Sequence, residues 1–565
     1  MALGVSALCF GMSSCVNDLN LDPTNPNDIT DVSNDIDRVF ADIYMNFCTY
    51  GPNGSNQVNG FDGGMASFQR AMFIAEEIPT DEASWLWDPA SYGTMNYGQV
   101  GPGLDCVYGF YSRLSINIAL CNQFINSCNN GTFKNVDQSK MDEYIRQARI
   151  LRAGCYYYML SFYDKVPYAD ENTTMGELPT QMPRAQVYEL VTSDLEKIIS
   201  EYAPNQKPYY GFVGLDAAEA ILAKIYLNGE VFAGRADYDK CYKHCKNIID
   251  RLGHGGKYGN GLAYSYQGLF GANNKQYVVG NDGNEVNEII WTLAQDDPNL
   301  MSYSGATFMA VGWIGTNGVE FTAEGAEPDE IVNGVGYTFD KKATGWISSY
   351  WYNVNGGWKC MVARKSFIKK FEWLDAEMSE SDDRRVALFQ TQKHGFTVEN
   401  PSLVGDDWGK NGYLAVKYSN WNYNEDGTLS ADQPTPKDQL GGDYAVIRLA
   451  EIYLTAAEAI LQGGGGSQAE ATQYVNYIRQ RAYADKYVAY NSVNMSVLRD
   501  ERCRELYTEN VRRTDLIRWN QWCTGYTWEW KGGIATGTNL PEYTKLYPIP
   551  SRVMVSSNFD QTTGY

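Results

Sequence analysis

The chain has 565 residues and 46 basic against 68 acidic side chains, for a formal charge of −22, a field that repels phosphate backbones and excludes nucleic-acid binding as its role. With 44% hydrophobic and only 20% charged residues it has the material for a large packed core, which excludes a disordered chain or a coiled coil. The aromatic share of 14%, with 42 Tyr and 14 Trp, exceeds what a core readily absorbs and predicts aromatic surface facing a ligand.

Residues 1–14 are apolar, with small residues just before Cys15. The stretch is shorter than the roughly 20 residues a membrane-spanning helix needs, so it reads as a targeting segment closed by a lipobox, although the usual basic start is missing. Acylation of Cys15 would then anchor the protein to a membrane surface. Residues 15–33 are polar, acidic and broken by Pro23 and Pro26, the composition of a flexible tether. For the remainder, 34–565, length alone suggests several domains unless it is a repeat protein that grows by stacking units.

Apolar residues recurring at threes and fours predict helices over 34–44, 106–127 and 137–163, where Tyr144, Ala148, Leu151, Cys155 and Tyr158 form one stripe. Further helices are predicted over 184–200, 215–229 and 237–252, and then over 446–461, 468–483 and 495–519. The segments 217–227 and 449–459 resemble each other, and their closely spaced alanines allow helices to approach. The expected fold class is mostly α: about four stacked helical hairpins of the tetratricopeptide type, in regions of about 34–48, 104–252 and 444–522. Segments 50–103, 253–443 and 524–565 are rich in Gly, Asn, Asp, Tyr and Trp and are predicted to form a large irregular ligand-binding region.

No GxSxG, HExxH, phosphate-binding loop or dinucleotide fingerprint occurs, and only three histidines are present, so a triad, a metal cluster or a cofactor is not expected. Cys241, His244 and Cys245 share a predicted helix with no second ligand pair, and the twelve cysteines read as buried thiols rather than a disulfide framework. The run 281–285 offers oxygen ligands to calcium but lacks the spacing of an EF-hand loop. Asp81 and Glu82, beside Trp85 and Trp87, are the natural carboxylates for a glycoside hydrolase, yet one adjacent pair does not supply the opposed groups that reaction needs. The aromatics of the irregular segments, Trp85, Trp87, Tyr303, Trp313, Trp346, Trp351 and Trp358 among them, suit a sugar better. A flat ring covers the C–H face while neighbouring Arg, Asn or Asp groups bind the hydroxyls.

The segments 15–19, 78–82, 147–153, 448–454, 501–506, 512–519 and 547–550 together resemble the SusD/RagB family of outer-membrane lipoproteins, over nearly the whole chain. The resemblance implies one domain over 34–565, a tetratricopeptide scaffold topped by irregular loops, acting without catalysis as a surface glycan-capture lid on a TonB-dependent, SusC-like transporter. The segment 528–533 and the loop aromatics are closest to the starch-binding members. By motif these imply a stacking arc of Trp87, Tyr303 and Trp358 for starch or a related α-glucan, with Arg70 binding hydroxyls and Trp85 and Asp81 as further candidate contacts. After Trp87, Asp88-Pro89-Ala90 replaces a stretch that carries a binding Asn in those members. Another glycan or a glycopeptide, a hydrolase, and a pure protein-binding scaffold are the rival readings.

Overall fold

The computed structural model describes residues 33–49, 63–86, 92, 94–173, 177–280, 283–296, 299–313, 320–322, 344–346, 353–358, 360–371, 388–390, 413–415 and 417–565. In chain order the helices longer than four residues are α1 (Ile36–Cys48), α2 (Phe68–Glu76), α3 (Asp105–Asn129), α4 (Gln138–Phe162), α5 (Arg184–Glu201), α6 (Leu215–Leu227), α7 (Gly229–Ala233) and α8 (Tyr238–Leu252). After α9 (Gly305–Val311) come α10 (Leu449–Leu461), α11 (Gln468–Tyr483), α12 (Met495–Leu506), α13 (Arg512–Arg518) and α14 (Ser551–Ser556). Side chains start several of them: Asp137 accepts from the Ser139 N–H at 2.8 Å ahead of α4, Ser467 from Glu470 at 3.1 Å ahead of α11, and Asn494 from Val497 at 3.0 Å ahead of α12.

The helix-rich architecture is the one the periodicity predicts, with three local differences. The stretch 446–461 opens as a strand before it becomes α10. The expected helix over 495–519 is two helices, because Thr508 and Asn510 adopt left-handed φ of 64° and 63°. Three carboxylates satisfy the backbone exposed by that break: Glu82 accepts from the Thr508 N–H at 3.1 Å, Glu77 from Val511 at 3.0 Å and Glu76 from Thr514 at 2.9 Å. Finally, α2, α9 and the short α14 lie inside segments predicted to be irregular.

Successive helices pack on one another, α3 on α4, α4 on α5 and α5 on α6, and α8 lies against both α6 and α10. The last contact joins the two helical blocks into one main core. It places the mutually similar segments of α6 and α10 on the same neighbour. Every residue of α6 is buried, and so is all of α10 except Leu461.

The strands are short: β1 (Ala83–Trp85), β2 (Lys165–Tyr168), β3 (Thr180–Pro183), β4 (Ile289–Leu293), β5 (Glu320–Thr322), β6 (Thr344–Trp346), β7 (Met361–Ala363), β8 (Leu388–Gln390), β9 (Tyr413–Ala415) and β10 (Tyr444–Arg448). Antiparallel β4 and β10 are wholly buried, with Tyr444 opposite Leu293. The order β1-β7-β9-β8 forms a second sheet, and β2 pairs with β3. Among the described residues no helix is long and apolar enough to cross a membrane. The ten cysteines among the described residues are free and buried, and Cys9 and Cys15 lie outside the described residues.

Candidate functional site

Arg70 is carried by α2, whose nine residues are all buried. Trp85 ends β1, and Asn96 fixes its backbone by accepting from the Trp85 N–H and donating to the Trp85 carbonyl, both at 2.7 Å. Tyr303 immediately precedes the Ser304 start of α9, where Ser304 Oγ donates to Ser67 Oγ at 3.0 Å. Trp358 is positioned by its backbone N–H, which donates to the Val311 carbonyl at 2.6 Å. Three stretches of the chain, around residues 70–85, 303 and 358, therefore converge.

Their rings form one cluster. Tyr303 and Trp358, both partly exposed, have centroids 5.8 Å apart and planes tilted by 46°. Below them the Arg70 guanidinium carbon lies 5.3 Å from the Trp85 ring, 5.3 Å from Phe308 and 5.9 Å from Trp358. Trp85 stacks on Tyr92 at 4.6 Å, and Arg70 Nη2 donates to the Tyr92 hydroxyl at 3.2 Å. The outer pair offers a tilted aromatic surface. The guanidinium beneath holds the rings by cation–π attraction, which strengthens away from water.

Three candidates occupy positions other than those expected of ligand contacts. Arg70, expected to bind hydroxyls, is only 3% exposed and spends its charge on the rings. Trp85 is 1% exposed and packs in the core beneath the outer pair. Asp81 is fully buried, forms a two-pronged ion pair with Arg512 at 2.7 and 2.8 Å, and accepts from the Tyr526 hydroxyl at 2.6 Å. Burial alone would raise the Asp81 carboxyl, but the Arg512 guanidinium outweighs it and holds the group down at about 2. A carboxylate so paired is not available as a glycosidase acid. Trp87, Trp351, Asn281 and Asp282 lie outside the described residues, and Trp346 is described only through its place in β6. Trp313 is buried.

Sequence reasoning did not single out Tyr92 and Phe308, which complete the ring cluster. Phe308 falls in a short apolar run, 305–311, whose helical spacing is visible only once the ring contacts are known. Among the described residues no group of three metal-capable side chains occurs. His244 instead faces Glu219 at 3.3 Å and Glu196 at 3.2 Å, while Cys241 and Cys245 are buried. In the run considered for calcium, the Glu285 side chain accepts from the Gly256 N–H and the Tyr264 hydroxyl, both at 3.1 Å.

Comparison with known proteins places this arrangement. The starch-binding protein SusD of Bacteroides thetaiotaomicron is 28% identical over an alignment of 602 positions, covering 99% of this chain and 97% of its own. A SusD-like protein of Bacteroides ovatus is 21% identical over 466 residues, 78% of this chain and 71% of that one. In structure, the surface glycan-binding protein A of Bacteroides fluxus superposes with a TM-score of 0.65 at 17% identity, covering 94% of this chain and 99% of that one. The surface glycan-binding protein A of B. thetaiotaomicron in complex with laminarihexaose gives 0.61 at 19%, with coverage of 93% and 98%. At such identities the two structures establish the fold alone. The profile of the SusD family matches residues 219–565, more than half of the sequence, and the chain belongs to that family.

Proposed function

We propose that the protein captures starch or a related α-glucan at the bacterial surface, anchored in the outer membrane through a lipid on Cys15, and hands the glycan uncleaved to a TonB-dependent, SusC-like transporter. The observation that carries the ligand reading is the tilted pair Tyr303 and Trp358. Two rings inclined at 46° meet successive sugars of a curled chain better than those of a flat ribbon. An identity of 28% to a starch-binding protein, along nearly the full chain, supports the same ligand. Trp87 is the third stacking residue of this reading, and Arg70 and Trp85 support the pair from below. The buried, ion-paired Asp81 favours capture over hydrolysis.

Titration calorimetry with maltoheptaose tests it, with cellohexaose and a xyloglucan oligosaccharide as controls. Heat is expected with maltoheptaose and its cyclic counterpart only. Losing an indole that stacks on sugar costs on the order of 1.5 kcal/mol, so Trp358→Ala is expected to weaken binding at least about tenfold. Heat with a control glycan and none with maltoheptaose would retain glycan capture and discard the α-glucan.

A further inference from the structure

A cavity of about 520 Å³ shares no residue with the ring cluster. It lies between α3, α4 and the described residues 169–173 and 177–179 that follow β2 and precede β3. Its apolar floor comes from Ile118, Met159 and Pro167, and the exposed Ala119 stands at its edge.

Hydrogen bonds build its walls. Arg152 Nη1 donates to Asn122 Oδ1 at 2.7 Å and to Glu171 at 2.5 Å. Asn126 donates to the Glu171 carbonyl at 2.8 Å, and the Tyr156 hydroxyl both donates to the Ala169 carbonyl at 2.7 Å and accepts from the Ala169 N–H at 2.8 Å. The cavity is therefore formed before any ligand arrives.

Asn122 is the group that points to a ligand. It is 7% exposed and lines the cavity. Its oxygen is committed to Arg152, and among the described residues its Nδ2 has no hydrogen-bond partner. With no protein acceptor, this donor is available to a ligand that enters the cavity. The exposed amides of Gln123 and Asn172 add donors and acceptors, and Asp170 and Glu177 add acceptors. Among the described residues no Lys, Arg or His lines the cavity, so an anion finds no cation there and meets carboxylates instead. Glu171 is already neutralised by Arg152, which weakens the case for a cation. A neutral ligand with a C–H face for the floor and hydroxyls for the amides and carboxylates matches the whole lining. The volume falls in the roughly 300–1,000 Å³ range of small-ligand sites.

We propose that this cavity is a second glycan site, taking a neutral disaccharide unit through Asn122 and the apolar floor. The inference rests on the reading of the protein as a glycan-capture protein. The site is weaker than the ring pair, because its one aromatic, Tyr156, is 2% exposed and offers no face for stacking. Two sites on one chain would hold a long glycan by raising its local concentration at each.

The test uses saturation-transfer NMR on the full-length Trp358→Ala protein with maltose, cellobiose and laminaribiose. Transfer to at least one disaccharide is expected to persist, and to fall about fivefold or more when Ala119→Arg or Gln123→Arg fills the mouth, a loss near 1 kcal/mol. Both positions are exposed, so the thermal midpoint should hold, and the two variants check each other. No transfer from any disaccharide, undiminished transfer in both variants, or saturation of a Lys-rich peptide in place of sugar overturns the proposal. Ala119→Arg alone should leave maltoheptaose binding by the otherwise unmodified protein within about twofold. Failure of that protein to bind maltoheptaose would sink the α-glucan reading without deciding the cavity.

Discussion

Asp81 and Glu82 are neighbours in the chain and titrate in opposite directions. Both are buried, but Arg512 takes Asp81 in a two-pronged pair, whereas Glu82 lies against Glu77 and the Thr508 N–H. Burial, only partly offset by Arg512, pushes Glu82 up to about 7 from an ordinary 4.5, while Asp81 falls to about 2 from 3.8. The fold thus favours neutral Glu82. That contribution is complete below 4.5 and is lost as pH rises through about 7. The contribution of Asp81 is complete above 3.8 and is lost as pH falls through about 2. Denaturant unfolding of Glu82→Gln is expected to show a smaller loss of stability than the unmodified chain between about pH 5 and pH 8. An identical slope would show that Glu82 is not the group responsible. In the sequence the pair read as candidate hydrolase carboxylates and Asp81 as a candidate glycan contact, because the partner that separates them lies 431 positions from Asp81. At the same scale, Trp358→Ala should leave the thermal midpoint within a few degrees, since the indole is partly exposed and its loss opens no closed cavity.

At the scale of elements, Gly154 shows why α4 and β4 fit. A side chain added there would meet the Trp291 ring at 2.7 Å, and Trp291, 3% exposed, has nowhere to move. Gly154→Val is therefore expected to destabilise the protein by about 1–3 kcal/mol, read as a lower denaturant midpoint. The α4 stripe was legible in sequence because it repeats locally. Its small residue was not, since the ring it accommodates lies on a strand far along the chain. The division between α12 and α13 was hidden for a related reason: Thr508 and Asn510 leave helical geometry only where Glu76, Glu77 and Glu82 accept the N–H groups so released.

At the scale of the whole molecule, the two helical blocks meet where α8 packs between α6 and α10, and the Lys224 ammonium of α6 reaches Glu451 of α10 at 2.6 Å with both side chains buried. Lys224→Ala leaves Glu451 as a buried, unpaired charge and should cost about 3–5 kcal/mol, whereas Lys224→Met with Glu451→Leu should recover most of that loss. Equal stability of the single and double variants would show that the pair does not bind the blocks together. The motifs that carried the family resemblance are of this same structural kind. Arg448 pairs with Glu505 at 2.6 Å, Arg502 with Asp515 at 2.9 Å, Arg518 with Glu458 at 2.7 Å and Arg512 with Asp81 at 2.7 Å, all buried. The sequence by itself determined the helical periods, their approximate bounds and the family, because these are written in local spacing and in charged motifs that the core requires. Only the tertiary structure decided which aromatics face outward as Tyr303 and Trp358 do, which carry them from beneath as Arg70 and Trp85 do, and that Asp81 belongs to an ion pair. Exposure and charge pairing are set by partners hundreds of residues away, and no local spacing encodes them.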